Sequence, residues 1–377
     1  MSMNKYVALL IVALLVTINV SAQCIPAKGF AVMKRGFDFS EYEFTRREVG
    51  DNDIEVKIMY AAICHSDLHE ANEDWYEGHF PFVPGHENVG MVVRVGKNVT
   101  RFKVGDYAGV GPSVNACRKC AQCLAGRDNY CEKMISCYNS VDYYHNNEIT
   151  QGGYSDVYVL DADFTYKIPK NADLKRTGPL LCAGVTTWVP LHKLTKVKKG
   201  DKIAVAGFGG LGHMAMKYAL ELGAEVTVFD ISETKRQVAL KMGAIKYVNV
   251  NHEHEMQGME DHFDLIISTI PSSYSLATYL RMVKYGGSLC VLGAPANKDM
   301  PNLEFYDMMW NGGKKVFFSM DGSVADTQEC IDYSVRHKIY PDVEIIPANA
   351  DTISKAYRNV KDGKVKFRDV IDMGQKE

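Results

Sequence analysis

Two hydrophobic rhythms divide the chain. Between Cys24 and about Tyr60, short segments such as Glu55–Tyr60 alternate apolar and polar positions and predict strands, with Gly29–Met33 the first. Residues 81–112 continue in kind: Pro84-Gly85 and Gly105-Asp106 punctuate the β-branched run Val89–Val95. From about Thr177 the rhythm changes. Lys202–Ala206 is a short apolar run ending in glycines, and Leu211, Met214, Ala215, Ala219 and Leu222 follow at helical spacing until Gly223 stops them. Glu225–Phe229, Phe263–Ile270 and Ser288–Leu292 read as further strands separated by helices. Strands alternating with helices predict a parallel sheet covered on both faces. After about Ser319 the mixed pattern returns. The expected class is α/β: a discontinuous β-rich domain with a doubly wound α/β domain inserted in it.

The N-terminus departs from this scheme. Lys5 precedes an apolar run, Tyr6–Val16, and Val20-Ser21-Ala22 then offers small residues. A basic start, an apolar stretch and a small-residue exit form the layout of a signal peptide over 1–22. Thr17 and Asn19 interrupt the run before it reaches the roughly 20 residues of a spanning helix. The expectation is export to a periplasm or the medium; a retained anchor or a wrongly chosen start is the competing reading, and without export the protein is cytoplasmic.

With 46 acidic and 43 basic residues, the charge of −3 gives no electrostatic reason to expect nucleic acid as a partner. The 10 cysteines in 377 residues are too few for a small disulfide scaffold. Their spacing says more. Cys117-x2-Cys120-x2-Cys123-x7-Cys131 lies in a loop-like stretch, 113–150, and four thiolates can close a tetrahedral shell around a structural zinc. Disulfides and an iron–sulfur cluster are the alternatives. Cys137 lies outside the set.

Gly207-Phe208-Gly209-Gly210-Leu211-Gly212 matches G-x-G-x-x-G in the required context of strand, helix and second strand. The glycines let the backbone approach a pyrophosphate, and the helix start offers free N–H groups. Asp230 ends the second strand 18 residues after Gly212, where a carboxylate accepts hydrogen bonds from both ribose hydroxyls and repels a 2′-phosphate. That residue favours NAD over NADP. Ser232, Lys235 and Arg236 follow it. Either base could approach a 2′-phosphate, but the exposed side of the next helix is their expected place.

Cys64-His65-Ser66-Asp67, Gly85-His86-Glu87 and Cys182-Ala183-Gly184 supply Cys, His and Cys, a ligand set for zinc with one position open. Open zinc polarises a carbonyl or acidifies an alcohol. These strings, with Leu68-His69, Gly152-Gly153-Tyr154-Ser155 and Val185-Thr186, resemble the zinc-dependent medium-chain alcohol dehydrogenases, and most nearly the branch similar to cinnamyl alcohol dehydrogenase. The resemblance runs from about Ile25 to the C-terminus.

That resemblance implies a GroES-like catalytic domain over 23–182 and 321–377, a Rossmann domain over 183–320, two zinc ions per subunit and a homodimer. It implies that Cys64, His86 and Cys182 hold the catalytic zinc, with Glu87 an occasional ligand. Ser66 would pass the alcohol proton outward to His69, which Asp74 orients. Thr186, Thr269 and Gly293 match cofactor-contacting positions. The branch mostly prefers NADP(H), with Ser or Thr where this chain has Asp230, so the residue and the resemblance pull apart.

The activity implied is hydride transfer between NAD(P)(H) and a primary alcohol or aldehyde, with aromatic ones of the cinnamyl type among the candidates. A polyol or secondary-alcohol dehydrogenase is the second reading, and a zinc- or nucleotide-binding protein without turnover the third. Trp75, Tyr76 and Trp188 flank catalytic positions and either line the substrate pocket or fill core. His252, His254 and His262 lie in a polar stretch, Asn251–His262, read as a solvated loop, and His65 is read as structural.

Overall fold

The computed structural model describes residues 24–301 and 304–374; the signal-like segment 1–22 lies outside them. Two sheets organise the chain. A seven-stranded sheet takes Asp53–Ala62, Asn88–Val95, Tyr107–Val110, Val157–Asp161 and Tyr166–Ile168 from the first part of the chain, and Val343–Pro347 and Arg368–Asp372 from its end. A six-stranded sheet holds Lys202–Ala206, Glu225–Asp230, Lys246–Asn249, Phe263–Ser268, Val283–Val291 and Lys315–Phe318, every pair parallel. Numbered along the chain, its spatial order is 3-2-1-4-5-6, the doubly wound arrangement. The strand order reverses between Lys202–Ala206 and Phe263–Ser268, which places the glycine-rich turn at the crevice of the sheet.

Alternation explains how the parallel sheet is covered on both faces. Ile203, Val205, Leu265 and Ile267 face one apolar cluster, with Trp188, Met214, Tyr218 and Ile331. Ala204, Ala206 and Ile266 face the other, with Phe229, Phe263, Leu276 and Leu280. The first cluster also takes in Tyr166, Ile168, Leu180 and Leu181, so the two sheets share a core at their junction. A separate cluster around Ile54, Val56, Ile58, Leu68, Tyr154 and Tyr357 fills the β-rich domain.

Several expected elements shift at their ends. The first strand is Ile25–Val32, longer than Gly29–Met33, because it pairs along its whole length with Phe39–Arg46. The strand expected over Phe263–Ile270 stops at Ser268, and Thr269 turns back to donate to the carbonyl of Gly207 at 2.9 Å. The strand expected at Ser288 begins at Val283, with an irregular register between Phe263 and Leu265 on its partner. The cysteine-rich stretch is not wholly irregular: Ser113–Asn115 pairs with Ile135–Ser136, and Val141–Asp142 with Glu148–Ile149. No helix among the described residues is long and apolar enough to cross a membrane.

His213, on the helix Gly212–Glu221, ties the two domains together. Its ring stacks on Phe367 at 4.3 Å, Nδ1 lies 3.1 Å from the Gly209 carbonyl, and Nε2 accepts the Asp342 N–H at 3.2 Å. An acceptor at Nε2 requires a neutral ring. Burial, with Lys217 nearby, pushes its pKa down to about 3. The unfolded chain therefore binds a proton near pH 6.5 that the folded chain refuses until about pH 3. The resulting stability is full above pH 6.5 and is lost as pH falls through that window. The His213→Gln variant should show a smaller drop in Tm between pH 7.5 and pH 5 than the wild type; equal drops would remove His213 from the account.

Candidate active site and metal centres

The strand Asp53–Ala62 leads into the short helix His65–Ala71, and Cys64 stands at the junction as the N-cap residue. Asp67, in the first turn, closes back on it. Its Oδ2 accepts the Cys64 N–H at 2.9 Å, and its Oδ1 takes the Gly85 N–H at 3.1 Å and His86 Nδ1 at 2.9 Å. The Tyr154 hydroxyl adds a bond to Oδ2 at 3.3 Å. Gly85 precedes His86 with φ +106°, and a Cβ there would meet the Tyr154 ring at 2.4 Å, so only glycine fits this turn. Cys182 arrives from the turn before the helix Ala183–Val189.

Ligand atoms of Cys64, His86, Glu87 and Cys182 all lie within 4.8 Å of one another, and all four residues are buried. His86 Nε2 and both Glu87 carboxylate oxygens have no hydrogen-bond partner. Buried polar atoms without partners are rare in folded proteins, and here they point at one spot. Two sulfurs, an imidazole nitrogen and a carboxylate are a donor set that zinc accepts. The Cys182 hydrogen bond holds the Cys64 thiol well below its usual range, with Arg368 and His86 adding to it. Burial disfavours the His86 imidazolium, but Asp67 and Cys64 outweigh it and raise the ring well above its usual value. Burial lifts Glu87 to about 8 even though an Arg368 nitrogen lies 3.1 Å away.

Ser66 and His69 occupy one face of the helix, three residues apart. Ser66 Oγ is 3.8 Å from Cys64 Sγ. His69 Nδ1 meets Asp74 Oδ2 at 2.8 Å, and Asn72 holds the other Asp74 oxygen at 2.7 Å. His69 Nε2 is buried without a partner. The Trp75 ring lies tilted against the His69 ring at 4.7 Å, while its Nε1–H reaches Pro295 O at 3.0 Å in the α/β domain. Tyr76 is exposed and bonded to Glu70, and Trp188 is core, stacked on His192 at 4.6 Å. His65 stays beside His69, and its ring is driven down to about 4 by burial.

The nucleotide turn is built as its glycines require. Gly207 has φ +89°, and a Cβ on Gly212 would lie 1.8 Å from the Gly207 carbonyl oxygen. A Cβ on Gly209 would meet nothing within 4 Å, so that glycine faces open space where a ligand's phosphates can approach. Leu211 is the N-cap residue of the helix that follows. Asp230 is buried; Oδ2 accepts the Phe208 N–H at 2.6 Å, and Oδ1 the Ser232 N–H at 2.8 Å.

Lys235 and Arg236 are not on an exposed face. Lys235 Nζ lies 3.6 Å from Asp230, and Arg236 is bound by Glu233, Glu255 and the Tyr247 carbonyl. Their nearest partners are carboxylates of the same domain, which draw both chains inward. Thr269 and Gly293 back the turn, since a Cβ on Gly293 would lie 2.2 Å from Ile270 O. The Thr186 hydroxyl donates to Asp321 at 3.2 Å.

Cys117, Cys120, Cys123 and Cys131 form the second cluster. Every described cysteine is a free thiol, and Cys117 and Cys123 sulfurs stand 3.9 Å apart, against about 2.05 Å in a disulfide. Backbone N–H groups of Lys119 and Cys120 pull the Cys117 thiol down to about 6, as a thiolate ligand needs. Cys137 is buried apart from this group, with Sγ 3.6 Å from Gly85 O. His252 and His254 stack at 5.8 Å, and one helical turn, Glu253–Met256, replaces the expected loop.

Sequence reasoning missed three residues that touch this site. Asp67 had a signal, an acid at the third position after a helix cap. Arg368 had none: it comes from the far end of the chain to lie between Glu87 and Gly210, whose Cβ would meet its Nε at 2.6 Å. Asp321 reads as one polar residue in a Gly/Ser turn, yet Cys182 Sγ is 3.8 Å from its Oδ1.

Comparison with known proteins agrees with this geometry. Residues 50–170 match the alcohol dehydrogenase GroES-like domain, and residues 210–335 match the zinc-binding dehydrogenase family. A mannitol dehydrogenase of Apium graveolens is 39% identical, over 92% of this chain and 94% of its own. Cinnamyl alcohol dehydrogenase 2 of Rauvolfia serpentina is 38% identical, over 93% and 96%. Among solved structures, CAD from Helicobacter pylori in complex with NADP(H) superposes with a TM-score of 0.90 at 43% identity, covering 94% of this chain and all of that one. With two zinc-ligand clusters, a doubly wound nucleotide sheet and relatives matched over nine-tenths of its length, the chain belongs to the zinc-dependent medium-chain alcohol dehydrogenases, in the branch similar to cinnamyl alcohol dehydrogenase.

Proposed function

We propose that this dehydrogenase interconverts primary alcohols and aldehydes of the cinnamyl type, with NAD(H) preferred and zinc held by Cys64, His86 and Cys182. The observation that carries the reading is that His86 Nε2 and Glu87 Oε2, both buried without a hydrogen-bond partner, converge with two thiols. When bound, zinc supplies Lewis acidity toward the substrate oxygen and nicotinamide supplies the hydride couple.

The chain's own residues handle the proton. Asp74 accepts the His69 Nδ1–H, which fixes the tautomer and leaves Nε2 as the acceptor. Ser66, beside Cys64, takes the alcohol proton at Oγ and releases its own toward His69. Where reduced cofactor dominates, the same groups run in reverse and deliver a proton to the aldehyde oxygen. Burial of the ligand set keeps bulk water from quenching the charge that develops.

Cys117, Cys120, Cys123 and Cys131 hold a second, structural zinc. Removing one ligand from each cluster separates the roles. Cys64→Ser should lower bound zinc from about two to about one per chain and abolish aldehyde reduction. Cys123→Ser should lose the other ion and lower Tm. Activity that survives loss of the Cys64 ion would sink the assignment.

Asp230 is the support for NAD: its carboxylate is fixed by two backbone N–H groups at the end of the second strand. Initial rates with benzaldehyde should favour NADH over NADPH, and Asp230→Ser should shift that ratio toward NADPH on the order of tenfold. Preference for NADPH in the wild type would mean that Lys235 or Ser232 outweighs the carboxylate.

The edge strand Lys315–Phe318 carries exposed Phe318, and the helix Phe305–Met309 with its C-cap Trp310 exposes Phe305, Tyr306, Met309 and Trp310; an unpaired apolar sheet edge suits a second copy of the chain. The pattern over 1–22 supports export. Protein purified from its native cells should therefore have an intact mass that begins at Gln23, and sediment at twice the chain mass. A full-length mass would sink export, and a single monomeric species the dimer.

A further inference from the structure

One carboxylate beside the reacting centre has no part in the chemistry above. Asp321 lies in the turn between the last strand of the parallel sheet, Lys315–Phe318, and the helix Val324–His337. Its Oδ1 accepts the Thr186 hydroxyl at 3.2 Å and stands 3.8 Å from Cys182 Sγ. Among the described residues no donor reaches Oδ2, and the residue keeps partial exposure. It borders at once a ligand of the proposed zinc and Thr186, a position expected to contact the cofactor. In the dehydrogenase reading the reacting carbon is held between zinc and nicotinamide, so a carboxylate that borders both positions stands beside it.

The turn is built to hold this side chain. Asp321 has φ +49°, a left-handed conformation that Asp and Asn tolerate better than other side chains. On one flank, Asn129 Nδ2 donates to the Met320 carbonyl at 3.1 Å, and the Val324 N–H donates to the Asp128 carboxylate at 3.1 Å. Both partners come from the cysteine lobe, between Cys123 and Cys131. On the other flank, Gly322 presses against the helix of Cys182, where a Cβ would meet Val185 Cγ2 at 2.3 Å. Ser323 caps the following helix through Asp326 N–H at 3.1 Å. The structural lobe thus clamps the backbone that aims Asp321 at the active centre.

We propose that Asp321 is a specificity-determining residue that accepts, at Oδ2, a hydrogen bond from a hydroxyl on the carbon next to the reacting one, so that, beside the planar cinnamyl-type substrates, the enzyme takes 2-hydroxylated aliphatic alcohols and aldehydes in preference to branched aliphatic ones of the same shape. The inference rests on the dehydrogenase reading and on its zinc assignment. A carboxylate that gains a hydroxyl partner forms a charge-assisted bond, whereas an apolar group of equal size strips water from it and returns nothing. Sites that lose a hydrogen-bond partner in this way discriminate far more strongly than pockets that merely lose a methyl contact.

Three near-isosteric alcohols test it: 1,2-propanediol, 2-methylpropan-1-ol and 2-aminopropan-1-ol. They place a hydroxyl, a methyl and an ammonium at the same carbon. Their kcat/KM values are measured with NAD+ for the wild type, Asp321→Asn and Asp321→Leu, with zinc content and Tm recorded for each. Comparing variant with wild type cancels the intrinsic reactivity of the alcohols. The ratio of diol to methyl analogue should fall about tenfold or more in Asp321→Leu, through KM, and by a smaller factor in Asp321→Asn. Saturation-transfer NMR without nicotinamide should show the same loss of diol binding.

A ratio that does not move, or both alcohols falling in proportion, overturns the proposal. A wild type that favours the amino alcohol over the diol overturns the choice of hydroxyl. Should Asp321→Leu fail to fold, Asp321→Asn, which suits the left-handed backbone, decides alone. A wild type that oxidises none of the three, nor cinnamyl alcohol, would instead sink the dehydrogenase reading itself.

Discussion

One buried carboxylate organises the catalytic end of the molecule. Asp67 accepts the Cys64 N–H, the Gly85 N–H, the His86 ring and the Tyr154 hydroxyl. Those four donors come from three separated stretches of chain. A buried charge is tolerated only when its lone pairs are filled, and losing a partner costs about 3–5 kcal/mol. The four bonds therefore act together. They set the backbone of one proposed zinc ligand, the ring of a second and the glycine turn that carries it. An imidazole that donates to a carboxylate through one nitrogen presents the other as a fixed ligand atom, which is the arrangement metal-binding histidines favour.

The same economy recurs where the two domains meet. Arg368 leaves the last strand of the seven-stranded sheet and donates to the Ile63 carbonyl at 2.8 Å. Its remaining guanidinium nitrogens lie between Glu87 and the glycine turn. His213 joins the helix of that turn to Asp342, and Trp75 joins the relay loop to Pro295. The cysteine lobe reaches across as well, through Asn129 and Asp128, to the turn of Asp321. The contacts of His213, Trp75 and Asn129, and the approach of Arg368 to Gly210, cross from the β-rich domain to the α/β domain close to functional groups. Domain geometry and site geometry are consequently one constraint.

At the nucleotide turn, Asp230 has two tasks. Its carboxylate ends the second strand, the place proposed here for ribose recognition, and it also accepts the Phe208 N–H that fixes the turn itself. Changing it alters turn rigidity along with cofactor choice. Lys235, drawn toward Asp230 at 3.6 Å, offsets part of that charge. This is why a tally of acidic and basic residues near the second strand could not decide between the two cofactors.

The sequence by itself determined a great deal. Periodicity set the alternation of strands and helices, because burial on a two-sided sheet demands it. The glycine spacing identified the nucleotide turn, because only glycine permits φ +89° at Gly207 and the close approach at Gly212. Cysteine and histidine motifs named the metal-ligand candidates, because few residue types can bind zinc. Strand ends were legible only to within a few residues, since pairing partners such as Phe39–Arg46 set them. Tertiary structure alone decided what Asp67, Arg368 and Asp321 do. Their side chains are chemically ordinary, and their roles arise from partners up to about three hundred residues away, such as Ile63 for Arg368. It also decided that Trp188 is core and that Lys235 faces Asp230. Local pattern records which groups a chain owns; only the fold brings a group to the distance at which hydrogen bonding and burial give it a function.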